Sequence, residues 1–139
     1  MIQIISGEKG KGKTKILIER ANAEVRVAKG SIVYLDKSNK HMYELSNKIR
    51  LQNVKEYFIE NQSEFIGFIC GIISANHDLE TIYLDSFLKI AYVSEEDLEG
   101  IFSKLEKISS KFNVDFVLSI SLNKNQLPDH IKENVIVSL

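Results

Sequence analysis

The sequence contains almost no cysteine, proline or tryptophan and no long hydrophobic run. Cys70 is the one cysteine among 139 residues, so no internal disulfide can form and a reducing cytoplasm is expected. The apolar run at residues 66–73 is far shorter than the roughly 20 residues that a membrane-spanning helix needs. The first ten residues, MIQIISGEKG, lack the basic and apolar segments of a secretory signal. We therefore expect a cytoplasmic protein with no membrane partner.

The chain also lacks an excess of either charge. It carries 18 basic and 19 acidic residues, which gives a net charge of −1 at pH 7. A dedicated nucleic-acid binder depends on a strongly basic surface, so this balance argues against a nucleic-acid partner. Only Arg20, Arg26 and Arg50 are arginines, which leaves few side chains for bidentate phosphate recognition.

What the sequence does contain is typical of one α/β domain over residues 1–139. The hydrophobic fraction of 44% and the charged fraction of 27% are close to the average for globular proteins. Strands are predicted at residues 1–5, 32–35, 57–59, 81–84, 116–122 and 135–138. Helices are predicted at residues 13–28, 63–75 and 98–108, and from Ser38 through Met42, Leu45 and Ile49. Strands separated by helices predict a three-layer αβα sandwich around a mainly parallel sheet.

Two of the predicted helices carry further local patterns. Almost every position in residues 63–75 is apolar, which predicts burial of that helix against the sheet. Gly67, Gly71 and Ala75 recur every four residues and would form a smooth strip that lets a strand or another helix approach closely. Ser94 begins a Ser-Glu-Glu-Asp run that resembles a capping box just before the helix at residues 98–108.

Residues 7–14 read GEKGKGKT and fit the phosphate-binding pattern G-x-x-x-x-G-K-[ST]. The run follows a predicted strand and opens a predicted helix, which is the context that a P-loop requires. Glycines in such a loop let successive N–H groups surround an anion, and the helix N-terminus adds partial positive charge. The predicted nucleotide-binding residues are Gly7, Glu8, Lys9, Gly10, Lys11, Gly12, Lys13 and Thr14.

Individual side chains of this loop have different expected roles. Lys13 would reach the β- and γ-phosphates as a catalytic residue, and the Thr14 hydroxyl would bind Mg²⁺. Lys9 and Lys11 would either steer the anionic nucleotide toward the loop or remain solvated. Glu8 is expected to point into solvent, because its carboxylate would repel phosphates.

Two aspartates follow predicted strands and are candidate catalytic residues. Asp85 ends an apolar strand, as a Walker B carboxylate does, and one such carboxylate is enough to hold Mg²⁺ together with water. The alternative for Asp85 is that it only caps the next helix. Asp36 ends the second strand and would polarise a water molecule, or would instead hold a turn or cap a helix.

These features together resemble the nucleotide-binding core of RecA-like P-loop ATPases, in which the Walker B aspartate is often followed by serine, as in Asp85-Ser86. The resemblance implies an ATP-binding protein that uses Mg²⁺ and hydrolyses the nucleotide. It also implies that the strand at residues 116–122 lies between the P-loop strand and the Asp85 strand. Its polar end would then sense the γ-phosphate through Ser119, Ser121 or Asn123, with Ser121 and Asn123 favoured.

The chain departs from this family in three ways. Asp36-Lys37-Ser38-Asn39 stands where a catalytic glutamate is usual, so the residue that activates water is undefined. Residues 123–134 leave little room for the long DNA-binding loops of recombinases. No arginine follows Arg50, so an arginine finger from the second half is excluded, although Lys124 or a partner protein could replace it.

Three classes of function therefore stay open. The first is an ATPase that is weak unless a protein partner or a second copy of the chain completes the site. The second is a small-molecule kinase or another nucleotide-dependent transferase, including corrinoid adenosyltransferases, whose loops also contain a GKGKT run. The third is a non-catalytic protein whose assembly is switched by bound nucleotide.

Overall fold

The structure, a computed structural model, describes residues 1–139 and consists of six strands and five helices. The strands are β1 (Ile2–Ser6), β2 (Ser31–Asp36), β3 (Ile49–Asn53), β4 (Leu79–Leu84), β5 (Asp115–Ile120) and β6 (Val135–Ser138). The helices are α1 (Lys13–Val25), α2 (Gln62–Ala75), α3 (Phe87–Ile90), α4 (Leu98–Phe112) and α5 (Asp129–Lys132). None of the helices has the length and apolar character needed to cross a membrane.

All six strands belong to one parallel sheet in the order β3-β2-β4-β5-β1-β6. The parallel arrangement follows from the long connections, because parallel neighbours need a crossover rather than a tight turn. These connections contain helices except between β2 and β3, where turns and bends cross over. The α/β class and the parallel sheet predicted from the sequence are confirmed. β5 lies between β4 and β1, as the resemblance implies.

Helices cover both faces of the sheet, which is consistent with a three-layer sandwich. Successive residues of each strand point to opposite faces, so that Ile4 and Ile5 enter two different hydrophobic clusters. The smaller cluster has ten buried residues and packs α1 against the sheet. The larger one has 29 buried residues and includes side chains from α2, α3, α4 and α5. Most of the apolar burial therefore lies on the face opposite α1.

The predicted helix from Ser38 to Ile49 is wrong. Residues 38–48 form turns and bends, and Ile49 begins β3. Leu45 and Ile49 are nevertheless buried against the α1 face, so their spacing reflected burial and not helical backbone. Hydrogen bonds from side chains to nearby N–H groups, such as Ser46 Oγ accepting from Lys48 N at 3.2 Å, compete with a helix in this segment.

The predicted strand at residues 57–59 is also wrong. A 3-10 turn occupies Val54–Tyr57, and Phe58 has a φ of 60°, in the left-handed region. Val54 at the start of the turn and Ile59 after it are buried, whereas Phe58 is exposed. The apolar residues of this segment anchor a connection rather than pair with a neighbouring strand.

The helix predicted at residues 63–75 is confirmed as α2, but its small residues do not serve as a packing strip. Phe65, Ile69 and Ile72 form the buried face. Gly67 and Gly71 are exposed, and a Cβ at either position would meet no atom within 4 Å. The capping-box prediction is wrong, because a 3-10 turn separates Ser94 from α4 and the Ser94 side chain accepts no backbone N–H. Its hydroxyl instead donates to the Asp97 carboxylate at 3.0 Å.

Candidate phosphate-binding site

A cleft of about 440 Å³ opens at the carboxyl ends of β1, β4 and β5, beside the N-terminus of α1. Ligands of parallel α/β sheets bind at this edge. The loop between β1 and α1 contributes Lys9, Gly10, Gly12, Lys13 and Thr14 to the lining of the cleft. Most of the predicted P-loop therefore lies where the fold class predicts ligand binding.

Three glycines shape this loop. Gly10 and Gly12 have φ angles of 86° and 92°, which side chains rarely permit. Gly7 is buried, and a Cβ there would come within 2.9 Å of the Cβ of Leu139, so the loop packs against the C-terminus of the chain. No side chain caps α1 at Gly12. The N–H groups of the first helical turn therefore point toward the loop without a side-chain acceptor.

Lys13 is the first residue of α1, and only 8% of it is exposed. Its ammonium group donates a hydrogen bond to the backbone oxygen of Glu8 at 2.9 Å, which holds the side chain over the loop. Burial lowers the pKa of Lys13, and the negative charge of Asp85 opposes that shift. The side chain has no carboxylate within ion-pair distance, so its charge is available to an anion in the cleft.

Asp85 lies directly after β4, is 2% exposed and accepts hydrogen bonds from three hydroxyl groups. Thr14 Oγ1 and Ser119 Oγ donate to its Oδ1 atom at 3.1 and 2.8 Å. Tyr34 donates to its Oδ2 atom at 2.9 Å. The structure thus brings together the two residues predicted to hold a metal, Thr14 and Asp85. Sequence reasoning assigned neither Tyr34 nor Ser119 to this carboxylate.

The oxygen atoms of Thr14 and Asp85 have the chemistry that Mg²⁺ prefers. No cluster of three or more histidine, cysteine, aspartate or glutamate side chains suited to a metal ion is present. Mg²⁺ is usually bound through one or two protein oxygens, with water and substrate phosphates as its other ligands. A hydroxyl and a carboxylate 3.1 Å apart in the lining of the cleft fit that mode of binding.

Asp36 is as buried as Asp85, at 2% exposure, but it does not line the cleft. Its Oδ1 atom accepts a hydrogen bond from the backbone N–H of Lys37 at 2.7 Å, and its Oδ2 atom has no partner. Burial, and secondarily the charge of Asp85, raise the pKa of Asp36 to about 6. The carboxylate occupies the turn role that sequence analysis left as the alternative to polarising water.

Other predicted residues divide between the cleft and its surroundings. Ser119 and Ser121 line the cleft, whereas Asn123 lies outside and donates to the Glu8 carboxylate at 3.0 Å. Glu8 is exposed, as expected. Lys11 is also exposed and does not line the cleft.

Sequence analysis missed two lysines of the cleft, Lys37 and Lys89. Lys37 was visible as the residue after Asp36, at the carboxyl end of a predicted strand. Lys89 lies on α3, whose four residues are too few to show a helical period. The residue before α3, Ser86, has a φ of 53° and lines the cleft next to Asp85.

The cleft therefore combines backbone N–H groups, four lysines, four hydroxyl groups and one carboxylate. This set can bind a polyanion together with a small divalent cation. No protein-family model matches the chain. No curated protein matches it either.

Proposed function

We propose that this protein binds ATP with Mg²⁺ in the manner of a RecA-like P-loop ATPase, and that its hydrolysis is weak or depends on a partner. The observation that carries the proposal is the 3.1 Å contact between Thr14 and Asp85 at the mouth of the glycine-rich loop. It joins the end of β4 to the start of α1, two segments that sequence patterns linked independently to phosphate and metal binding. A cytoplasmic location, where ATP is available, is part of the proposal.

Each part of the cleft has a role in this proposal. Backbone N–H groups of residues 7–14 bind the phosphates, and Lys13 turns from the Glu8 carbonyl to the β- and γ-phosphates. Thr14 and Asp85 would hold Mg²⁺, which neutralises phosphate charge when bound. The hydrogen bonds from Tyr34 and Ser119 orient the Asp85 carboxylate before any ligand arrives.

The cleft offers no obvious base for activating water. Asp85 is the one carboxylate that lines it, and that side chain already has three hydroxyl donors. Asp36 lies outside the cleft, with its carboxylate on a backbone N–H. Phosphoryl transfer depends mainly on positioning and charge stabilisation, so this site favours binding over turnover. A partner protein or a second copy of the chain would supply what is missing.

The same observation favours a second candidate function, a non-catalytic switch whose assembly depends on bound nucleotide. In that case ATP stays intact in the cleft, and the protein changes its partners when nucleotide binds or leaves. The two candidates share the binding site and differ in whether phosphate is released.

Titration calorimetry with Mg·ATP tests the shared part of the proposal. We expect the wild type to bind in about the micromolar range, and Lys13→Ala to bind at least about tenfold more weakly because one charge-assisted contact is lost. Lys104→Ala, at an exposed site on α4, is the matched control and should bind like the wild type. Absence of binding by the wild type would refute both candidate functions.

Phosphate release under steady-state conditions separates the candidates. Release slower than about 1 s⁻¹ that vanishes in Lys13→Ala supports the weak ATPase. Bound ATP that survives purification unhydrolysed, with oligomerisation that depends on ATP, supports the switch. Consumption of ATP only with a particular acceptor would replace both with a transferase.

A further inference from the structure

Lys37 and Lys89 bring positive charge to the cleft from outside the glycine-rich loop, Lys37 from the turn after β2 and Lys89 from α3. Lys37 follows β2, which is separated from β1 by β4 and β5 in the sheet. Neighbouring strands lie about 4.8 Å apart, so three spacings place the end of β2 about 14 Å from the end of β1. A phosphate chain held at the loop would extend its outer end toward these lysines. Both lysines line the same cleft as Lys13 and Thr14.

The backbone beneath each lysine is anchored. The N–H of Lys37 donates to the buried Asp36 carboxylate at 2.7 Å, which fixes the turn after β2. Lys89 is the exposed residue of α3 between Phe87 and Ile90, which are buried. The two ammonium groups therefore extend from short segments whose backbone is already fixed. Less conformational freedom is lost when an anion binds them than if the backbone also had to become ordered.

The charge of these lysines is not balanced within the protein. Neither Lys37 nor Lys89 forms an ion pair with a carboxylate. Asp85, the one carboxylate of the cleft, is 2% exposed and already has three hydroxyl donors. The charges of Lys37 and then Lys9 lower the pKa of Lys89, which shows how closely the like charges gather. An anion placed among them would relieve this repulsion.

We infer that Lys37 and Lys89 bind the third phosphoryl group of the nucleotide, so that the site distinguishes a nucleoside triphosphate from a diphosphate. The inference rests on the proposed function and adds a specificity that the P-loop alone does not provide. The loop binds the phosphates that a diphosphate also carries, and Lys13 reaches the β- and γ-phosphates. Only the terminal phosphate of a triphosphate reaches Lys37 and Lys89.

The same phosphate chemistry has two sources, the γ-phosphate of a triphosphate and free phosphate beside a bound diphosphate. The experiment compares the affinities of ADP and a β,γ-imido analogue of ATP, each with Mg²⁺, by calorimetry. It uses the wild type, Lys37→Met, Lys89→Met and the double variant, because methionine keeps an unbranched apolar stem. Lys104→Met on α4 is the charge-matched control. A separate titration adds ADP in the presence of inorganic phosphate.

We expect the wild type to prefer the triphosphate analogue and the double variant to lose about tenfold of that preference. Each single variant should lose part of it, and the affinity for ADP should stay within about twofold of the wild type. Higher salt should weaken analogue binding more than ADP binding in the wild type, because the lysines are partly exposed.

An unchanged preference in the double variant would overturn the inference while leaving the proposed function intact. Equal weakening of ADP and the analogue would also overturn it, since the lysines would then only attract anions in general. If free phosphate tightens ADP binding but the analogue binds no more tightly than ADP, the lysines bind free phosphate and do not distinguish a triphosphate from a diphosphate. That result would also overturn the inference. A wild type that binds neither nucleotide refutes the proposed function together with this inference.

Discussion

The ends of β2 and β4 each carry a buried aspartate, yet the two carboxylates have different surroundings. Asp85, after β4, has hydroxyl donors on both oxygens. Asp36, at the end of β2, has one backbone donor, and its second oxygen has no partner. Both side chains are 2% exposed, so burial alone does not explain the difference. What differs is the number of groups that stabilise the negative charge.

The donors stabilise the ionised carboxylate of Asp85, whereas the carboxylate of Asp36 is costly to ionise. The donors at Asp85 are hydroxyl groups, which orient the carboxylate and leave oxygen atoms facing the cleft beside Thr14. At Asp36 desolvation dominates, and its pKa rises to about 6. Identical residue types at equivalent strand ends therefore have different surroundings, one with three hydroxyl donors in the lining of the cleft and one with a single backbone donor outside it.

The largest expected difference between the two sites is in nucleotide binding. Asp85→Asn should weaken Mg²⁺-dependent binding of the ATP analogue by about 10- to 100-fold, because the metal loses its carboxylate. Asp36→Asn should change that affinity by less than about threefold, because the side chain lies outside the cleft and Asn keeps an acceptor for the Lys37 N–H. Calorimetric titrations with Mg²⁺ and with EDTA measure both effects. If both variants lost the same amount of affinity, the two aspartates would not differ in their contribution to nucleotide binding.

The second prediction concerns stability as a function of pH. With a pKa of 3.8 in the unfolded chain and about 6 in the fold, Asp36 binds more protons when folded between these pH values. Its contribution to stability is therefore full below about pH 4 and is lost as the pH rises through about 6. Asp36→Asn should flatten this part of the profile and raise the free energy of unfolding at pH 7 by about 1–2 kcal/mol, because no charge is buried.

Urea unfolding across that pH range, without nucleotide or metal, measures the effect. Glu106→Gln is the control, because the Glu106 side chain is exposed on α4 and forms no ion pair. A variant that is less stable than the wild type at every pH, with the same slope, would mean that the Lys37 N–H contact outweighs the cost of ionisation.

The parts of the candidate site that could be predicted are those in which the recognisable sequence pattern lies within one short segment. Residues 7–14 contain their motif, and both Asp36 and Asp85 stand at the end of apolar runs that do form strands. The order of β4, β5 and β1 followed from the resemblance to a known family. In the loop and at the two strand ends the residues involved are neighbours in the chain, so local patterns were sufficient. The strand order joins distant segments and needed the resemblance.

The parts that could not be predicted depend on contacts between distant segments. Tyr34 reads as a packing residue in a strand, and it does stack on Tyr83 with ring centroids 6.1 Å apart. Its hydroxyl reaches Asp85 only because β2 and β4 are neighbours. The helix predicted at residues 38–49 was wrong for a related reason. Leu45 and Ile49 are buried on one face, and both a helix and an irregular turn can bury residues at that spacing. Spacing alone did not distinguish the two.

The smallest expected effect on stability and binding comes from removing one hydrogen-bond donor from Asp85, which makes its surroundings more like those of Asp36. Tyr34→Phe removes the one donor to Asp85 Oδ2 and leaves that buried oxygen without a partner, as Asp36 Oδ2 is. The loss should lower the free energy of unfolding by about 1 kcal/mol, because a buried acceptor goes unsatisfied. It should also weaken Mg²⁺-dependent nucleotide binding a few-fold, since the carboxylate is less well oriented.

Tyr83→Phe separates the two consequences of that change. The hydroxyl of Tyr83 donates to Glu24, and its ring packs beside Tyr34 in the same cluster, so the variant removes a comparable hydrogen bond away from the cleft. We expect a similar loss of stability and no change in Mg²⁺-dependent affinity. A stability loss in Tyr34→Phe with unaltered nucleotide binding would show that the hydroxyl supports the fold alone. Weaker binding in Tyr34→Phe but not in Tyr83→Phe would show that the contact prepares Asp85 for its ligand.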